Sequence, residues 1–383
     1  MLNYKLFFDL IDKDDFPEIK DTNALLNVVQ FATDANIRWK NVDIALVGIN
    51  IGNGANQLRQ QLYRLKKNNL NYKILDLGNV RLGEDSSENY LKISEIGKSL
   101  MQENILPAFI GGSNDFALGQ YYAYQELEKQ IYVLAVDKKL DIEEESKDFA
   151  NKYLGRILLH QPNYLFNFGL LGYQAYLNTI EALEMSKMLN FDLLSVGEMR
   201  NNFAETEPFI RLADILCFDI AAIRRNDAPA QKDAFHFGLT GEEAAQIAWY
   251  AGMNEKLSSF GVYGYEPKLD TEHQTAEVIA VMLWYFIEGF YYRKGEVPLR
   301  ENFYIKYTVP FENPSLDLIF YKSLLSERWW LEIPEQVSYG LEVENGIPNF
   351  YKRATLVPCS PQDYQEAKHG NIPDRLMKAL ARR

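Results

Sequence analysis

The sequence contains little cysteine and little histidine, and this limits the chemistry open to it. Its two cysteines, Cys217 and Cys359, form no C-x-x-C pair and are too few for a disulfide framework. So few cysteines are typical of a reducing compartment, and we expect a cytoplasmic protein. The 383 residues include only four histidines, so imidazole groups for metal binding or proton transfer are scarce.

The sequence also lacks a basic patch and a long apolar run. Its 40 Lys and Arg against 53 Asp and Glu give a net charge of -13, which repels nucleic acid and anionic lipid. Lys5 and Asp9 interrupt the short apolar run near the N terminus, so no signal peptide is expected. Residues 275–290 are apolar but short and contain Glu277 and Glu288, which favours a buried helix. We therefore expect neither a nucleic-acid partner nor a membrane partner.

The chain does have the composition and pattern of a large folded core. Hydrophobic residues make up 47% of it, enough for one large α/β domain with additions or for two domains. β-Branched runs that end at glycine or at polar turns predict strands at residues 42–49, 72–77, 105–112, 131–136, 191–196 and 259–265, with a further strand from residue 217. Helical patterns lie between them. This alternation predicts an α/β fold, a three-layer αβα sandwich around a mainly parallel sheet.

The pattern changes along the chain and suggests three parts. Residues 1–40 form an N-terminal extension, residues 41–295 the α/β domain, and residues 296–383 a C-terminal α+β extension with alternating strands. Inside the domain we predict a long helix over residues 173–189 and another that begins at a capping box, Thr240 with Glu243. Trp329 and Trp330 have two interpretations, a partner surface or packing of the extension onto the domain.

Four polar segments follow predicted strands, where the carboxyl ends of parallel strands share one edge of a sheet. They are Gly111-Gly-Ser-Asn-Asp115, Asp137-Lys-Lys-Leu-Asp141, Cys217-Phe-Asp-Ile-Ala-Ala-Ile-Arg-Arg-Asn-Asp-Ala-Pro-Ala230 and Gly264-Tyr-Glu-Pro267. In this order, over about residues 41–290, they resemble the motifs of the ureohydrolases, meaning arginase, agmatinase and formimidoylglutamase. The resemblance implies the arginase-like form of the αβα sandwich.

In that family the segments supply two histidines and four aspartates to a pair of manganese ions. The metals activate a shared water that attacks a guanidino or formimino carbon. Carried over position by position, three acids are retained and three ligands are replaced: Asp137, Asp141 and Asp219 against Asn114, Lys139 and Ala221. None of the four histidines lies in these segments, so the resemblance assigns no catalytic residue.

The retained acids have two interpretations, a residual site for one metal or a structural cluster of satisfied charges. We hypothesise that Lys139 acts as a substitute cation that holds Asp137, Asp141 and Asp219 together. Asp115, next to Asn114, either replaces the lost ligand or caps the following helix.

Other residues of the expected cleft are also open to two interpretations. Arg224 and Arg225 replace the Asp-Pro of the family and either bind a substrate carboxylate or form surface salt bridges. Gly264 stands where arginase and agmatinase have an acid that holds the guanidinium. Cys217 is not expected to be a nucleophile, because its neighbours supply no base.

The sequence leaves two functions open. The first is a catalytically degenerate ureohydrolase relative that acts in binding or assembly and has no bound metal. The second is a formimidoylglutamase-like hydrolase that cleaves a C–N bond of a linear amidine with manganese. The resemblance further implies a homo-oligomer, a trimer or a hexamer, and a small amidine or amino-acid ligand.

Overall fold

A computed structural model describes residues 4–33, 39–142, 149–296, 302–310, 317–333 and 356–382. Ten strands of these ranges form the main sheet. They are β1 (Phe8–Asp9), β2 (Val29–Phe31), β3 (Ile44–Ile49), β4 (Ile74–Val80), β5 (Leu106–Gly111), β6 (Ile131–Val136), β7 (Leu165–Tyr173), β8 (Asp192–Ser195), β9 (Ile215–Asp219) and β10 (Ser259–Tyr263).

The strand order of the main sheet is β1-β4-β3-β5-β10-β9-β6-β7-β8, and β2 pairs with β4 as well. Only β1 runs antiparallel to its neighbour, whereas the other pairings are parallel. The strands β3, β4, β5, β6, β9 and β10 are buried along their whole length, as expected for a sheet covered on both faces. The mainly parallel sheet predicted from the sequence is confirmed.

Helices cover both faces of this sheet and complete the three layers. They are α1 (Tyr4–Phe7), α2 (Gly54–Leu62), α3 (Ser86–Gln102), α4 (Ala117–Gln125), α5 (Tyr153–Leu159), α6 (Ile180–Met188), α7 (Val196–Asn201), α8 (Thr206–Leu212), α9 (Gly241–Met253) and α10 (Gln274–Tyr291). One apolar core contains side chains of α2, α8, α9 and α10, and the second contains those of α3, α4 and α5. None of the helices in the described ranges combines the length and apolar character needed to cross a bilayer.

Two details of the predicted core differ in the structure. The predicted helix over residues 173–189 begins only at Ile180, because β7 extends to residue 173, a 3-10 turn follows at Ala175–Leu177 and Thr179 caps the helix. Asn167, Gly169 and Gly172 weaken the strand pattern of this segment. The N-terminal 40 residues also contribute β1 and β2 to the main sheet, so this part of the chain is built into the domain.

The C-terminal part forms a second, antiparallel sheet with two helices, α11 (Pro361–Lys368) and α12 (Asp374–Ala381). Its strands are, in spatial order, β11 (Tyr304–Val309), β12 (Leu318–Ser323), β13 (Trp329–Glu332) and β14 (Leu356–Cys359). Arg211 of α8 fastens it to the domain by donating to the backbone carbonyls of Trp329 and Cys359, both at 3.0 Å. Its guanidinium also lies 4.7 Å from the ring centroid of Trp330. Both tryptophans are buried. Trp330 packs on Arg211 of the domain, whereas the ring of Trp329 stacks on Tyr307 and Tyr364 in the core of the extension.

The helices α9 and α10 run parallel and touch backbone to backbone near their C-terminal ends. A Cβ atom on Gly252 would lie 2.1 Å from the carbonyl oxygen of Phe286, and one on Gly289 would lie 2.5 Å from that of Trp249. At the other end, Gly241 faces the side chain of Val278 instead. Glycine at 252 and 289 therefore sets how closely the two helices approach.

We predict that Gly252→Ala destabilises the protein by about 1–3 kcal/mol, because the new methyl group forces α9 and α10 apart. Gly197→Ala in α7 is the matched control, since a Cβ there meets only Ser195 Oγ at 4.0 Å. Alanine also has the higher helix propensity, so the control is expected to be neutral or slightly stabilising. Urea unfolding of both variants measures the difference, and equal stabilities would contradict the steric argument.

Candidate functional site

The cleft lies at the carboxyl edge of the four central strands. β10 is hydrogen-bonded between β5 and β9, and β6 lies on the other side of β9. The chain leaves these strands at Asn114, Asp137, Asp219 and Gly264, and all four residues line one cavity of about 240 Å³. The four segments that were predicted to share one edge of the sheet thus lie together.

A pair of glycines turns the chain sharply at the end of β5. Gly111 and Gly112 have φ angles of +85° and +73°, which glycine adopts readily and other residues rarely. A Cβ on Gly112 would lie 2.5 Å from Ile49 Cγ2, so a larger residue would collide with the end of β3. This turn brings Asn114 over the cavity.

Asn114 holds two of the retained acids together. Its side-chain Nδ2 donates to Asp137 Oδ2 at 3.2 Å and to Asp141 Oδ2 at 3.1 Å. The residue is only 2% exposed, so these hydrogen bonds lie away from bulk water. In the position where the resembled family has an imidazole ligand, this chain thus presents an N–H donor to carboxyl groups.

The third acid, Asp219, is oriented by its own turn. Its Oδ1 accepts a hydrogen bond of 2.8 Å from the backbone N–H of Ala221. A Cβ on Gly264 would lie only 2.5 Å from the same Oδ1, and Gly264 has a φ of +86°. The Asp219 carboxyl therefore occupies the space that a side chain at position 264 would need, while Ala221 adds only a methyl group.

Three lysines line the cavity, Lys138, Lys139 and Lys232, and only Lys139 was predicted to act on the acids. Lys139 is half-buried and lines the cavity, and its charge opposes the rise in the pKa of Asp141 that burial causes. Lys138 is buried, its backbone N–H donates to Asp137 Oδ1 at 2.6 Å, and its ammonium donates to the backbone carbonyl of Asp233. The substitute-cation role of Lys139 remains a prediction, and Lys138 acts on the same cluster.

Burial dominates the electrostatics of the three acids. It raises the pKa of Asp141 well above the ordinary value, and repulsion by Asp137 raises it further. Burial and repulsion by Asp137 also raise the pKa of Asp219 well above that value. The pKa of Asp137 is raised by burial as well, although a hydrogen bond with Asp141 and the charge of Lys138 oppose the shift. A cluster of this kind favours bound protons or a bound cation.

Three other predicted residues lie outside the cavity. Asp115 lies behind Asn114, where it accepts hydrogen bonds from the hydroxyl groups of Tyr90 and Ser113. Arg224 pairs with Asp227 at 2.8 Å in the wall of a different groove, and Arg225 donates to the carbonyl of Ala234 at 2.6 Å. These three residues therefore lie outside the predicted cleft. The turn after β9 directs both arginines away from it, and Asp115 is held by its two hydroxyl partners.

Cys217 lies in the sheet beneath the cleft and has the environment of a core residue. Its thiol is 1% exposed and donates to Gln120 Oε1 at 3.2 Å, and burial raises its pKa. A thiol of this kind is rarely deprotonated and is a poor nucleophile.

The cavity also includes an acid outside the predicted site residues. Asp233 lies at its mouth, on the segment that follows Pro229, and its charge raises the pKa of Asp219. Glu266 lines the same mouth. Asp233 could have been found from the sequence, because it lies only three residues beyond Pro229 and Ala230, which match the family motif.

The residues of the cavity do not fit a pair of manganese ions. The described lining contains three buried carboxyl groups but no histidine, whereas manganese sites of this type combine oxygen ligands with imidazole. In this orientation the Asn114 amide directs N–H donors at two of the carboxyl groups, so it offers no ligand atom to a cation between them. Ala221 has no ligand atom in its side chain.

Comparisons with known proteins identify the family. A model of the arginase family matches residues 50–288. The chain belongs to the arginase family. Among curated relatives, the formimidoylglutamase of Staphylococcus carnosus is 22% identical over 300 residues, which cover 73% of this chain and 92% of that protein. The Streptococcus gordonii formimidoylglutamase is 23% identical over 258 residues, covering 61% and 77%.

Solved structures of other arginase-family proteins share the fold. The Trypanosoma cruzi formiminoglutamase with manganese has a TM-score of 0.61 and 19% identity, and the match covers 68% of this chain and 97% of that one. The Bacillus subtilis formimidoylglutamase has a TM-score of 0.64 and 16% identity, covering 72% and 95%. The Bacillus cereus arginase has a TM-score of 0.55 and 14% identity, covering 64% and 98%. The predicted arginase-like sandwich is confirmed.

We predict that Asp141→Asn stabilises the metal-free protein more at pH 8 than at pH 5. Because the folded pKa of Asp141 is raised, the native state holds a proton that the unfolded state releases above about pH 4. The contribution of Asp141 to the stability of the wild type therefore falls as the pH rises, and the amide removes this loss. Melting temperatures in chelator at both pH values measure the effect.

The control for this prediction is Asp14→Asn, because Asp14 is exposed in the N-terminal segment. It is expected to change the melting temperature little at either pH. A gain from Asp141→Asn that is the same at pH 5 and pH 8 would contradict the assigned proton.

Proposed function

We propose that this arginase-family chain is a binding protein that accepts a small amidine or amino-acid ligand in its cleft and lacks the two-manganese reaction. The hydrogen bonds from the Asn114 amide to Asp137 and Asp141 carry this proposal. They satisfy the two carboxyl groups with a neutral side chain where the family reaction needs a cation. The methyl group of Ala221 supports the same conclusion.

The charges and the size of the cavity support this class of ligand. An amidinium is a planar cation whose N–H groups pair well with carboxylates, and Asp141 and Asp219 lie at the bottom of the cavity. Lys139 and Lys232 line the same cavity and complement a ligand carboxylate. Its volume of about 240 Å³ is below the range of about 300–1,000 Å³ that is usual for drug-sized ligands.

A second candidate function is a formimidoylglutamase-like hydrolase that uses one manganese ion. One observation favours it: within the described structure, the buried Asn114 Oδ1 has no hydrogen-bond partner. A half-turn of the amide would present this oxygen to a cation, since the two ends of an amide are interchangeable in shape. Asp137, Asp141 and Asp219 would then hold the ion, which supplies a water of lowered pKa when it is bound.

Metal analysis and melting experiments separate the two candidates. For a binding protein we expect purified protein without stoichiometric manganese, no melting shift with manganese, and a rise in melting temperature with acetamidine or formimidoylglutamate. Asp219→Asn is expected to abolish that rise. Stoichiometric manganese, or manganese-stimulated release of ammonia or formamide from formimidoylglutamate, would establish the hydrolase instead.

We predict that Ala221→Asp creates a manganese response that the wild type lacks. The new carboxylate restores an oxygen ligand beside Asp219, so manganese is expected to raise the melting temperature of this variant. Ala221→Asn is the matched control, because it has the same shape without the charge. An equal manganese response in the wild type and both variants would count against the proposed loss of the metal site.

A further inference from the structure

A second cavity, larger than the cleft, lies on the solvent side of α9 and α10. We call it the α9–α10 groove, and it has a volume of about 880 Å³. Its lining residues are Arg224, Asn226, Asp227, Gly241, Glu242, Ala245, Gln246, Trp249, Gln274, Glu277, Val278, Val281 and Tyr285. Apart from the segment around Arg224, all of them belong to the two helices or lie at their ends.

The α9–α10 groove is long and has a small apolar floor. It extends from Gln274 to Tyr285 along α10, which is about 16 Å at 1.5 Å per residue. Ala245, Val278 and Val281 form the floor, and Val281 is 37% exposed although it is apolar. A groove with this shape fits about three turns of a helix better than it fits a compact small molecule.

Acidic side chains occupy one end of the groove. Glu242 and Glu277 are both exposed, and the side chain of neither forms an ion pair or a hydrogen bond within the described structure, although the charge of Glu242 acts on the nearby Arg224. The remaining acid, Asp227, is already paired with Arg224 at 2.8 Å. Two unpaired carboxylates at one end attract a cation, and a second copy of the same acidic face would be repelled.

Aromatic side chains occupy the other end. Trp249 and Tyr285 form an edge contact with ring centroids 6.2 Å apart, and Tyr285 is 39% exposed. Among the described residues, no lysine or arginine lies over either ring. Trp249 also packs against Tyr292, and Tyr285 against Trp284, with ring centroids 5.1 Å apart in each pair. The parts of the two rings that line the groove can still attract a lysine or arginine side chain through a cation–π contact.

We propose that the α9–α10 groove binds a helix of a partner protein, with small apolar residues on one face and a lysine or arginine at each end of that face. Trp249 follows Glu242 by seven residues and Tyr285 follows Glu277 by eight. Two basic residues seven positions apart on a helix lie on one face about 10 Å apart, which matches this spacing. The charges of the groove and its length therefore both favour a helix with basic residues at the two ends of one face.

The test uses a labelled helical peptide of about 16 residues, rich in alanine and leucine, with two lysines seven positions apart. A matched peptide has glutamate in both positions. Fluorescence anisotropy at low salt is expected to show binding of the lysine peptide at least about tenfold tighter than that of the glutamate peptide. The double variant Glu242→Lys/Glu277→Lys is expected to bind the lysine peptide about tenfold or more weakly than the wild type does.

A second double variant, Glu103→Lys/Glu184→Lys, makes the same change in net charge at exposed positions outside the groove. Its affinity for the lysine peptide is expected to stay within about twofold of the wild-type affinity. Equal losses in both variants would mean that only the net charge attracts the peptide, and this would overturn the proposal. The proposal would also fail if sedimentation showed an oligomer that Val281→Asp separates into monomers, because the groove would then be an interface between copies. Melting temperatures confirm that each variant is folded.

Discussion

The parallel hydrogen bonding of β5, β10, β9 and β6 is the constraint on which the rest of the molecule depends. Tyr263 pairs with Asp219, and Phe218 pairs with Val136, so the strands end together at one edge. Residues that are distant in the sequence therefore share one cleft. The same pairing obliges each connection to return along a face of the sheet, which is why helices form both outer layers.

The cleft shows how a fold tolerates buried carboxyl groups without the ligands of its relatives. Each retained acid accepts a hydrogen bond from a neutral donor: the Asn114 amide, the backbone N–H of Lys138 or the backbone N–H of Ala221. Such hydrogen bonds offset part of the cost of burying a charge. The arginase fold is therefore maintained by its sheet and its two cores, and the chemistry of the cleft can change separately.

The sequence predicts the strand positions well where apolar runs end at glycine or at a polar turn, as they do at Gly111 and before Asp137. The strand predicted to end before Gly78 continues to Val80. The sequence does not predict β7, because the residues of this strand are constrained by contacts with the neighbouring strand β6. A Cβ on Gly169 would lie 2.6 Å from the hydroxyl of Tyr132 in β6, so glycine is needed in the middle of a strand that propensity alone disfavours. No pattern local to β7 contains this information.

The residues of the site at strand ends were predictable from the sequence, whereas those in the long loop after β9 were not. Strand ends and the family resemblance located Asp137, Asp141 and Asp219, because backbone pairing fixes these positions. The place of Arg224 was not predictable, since its backbone N–H donates to the carbonyl of Leu239 at 2.9 Å. That contact joins two points of a long loop and decides which way the arginine side chains lie. Loop conformation of this kind depends on partners that no short motif contains.

The position of β10 also has a consequence for synthesis of the chain. The strands β4, β3 and β5 form one half of the sheet and β9, β6, β7 and β8 the other, and β10 alone joins the halves. Phe109 of β5 pairs with Gly261 of β10. A ribosome that adds about 5–20 residues per second synthesises Gly261 roughly 8–30 s after Phe109. Until then each half has an open, apolar strand edge. The two halves of the sheet therefore cannot join until the last central strand has been synthesised.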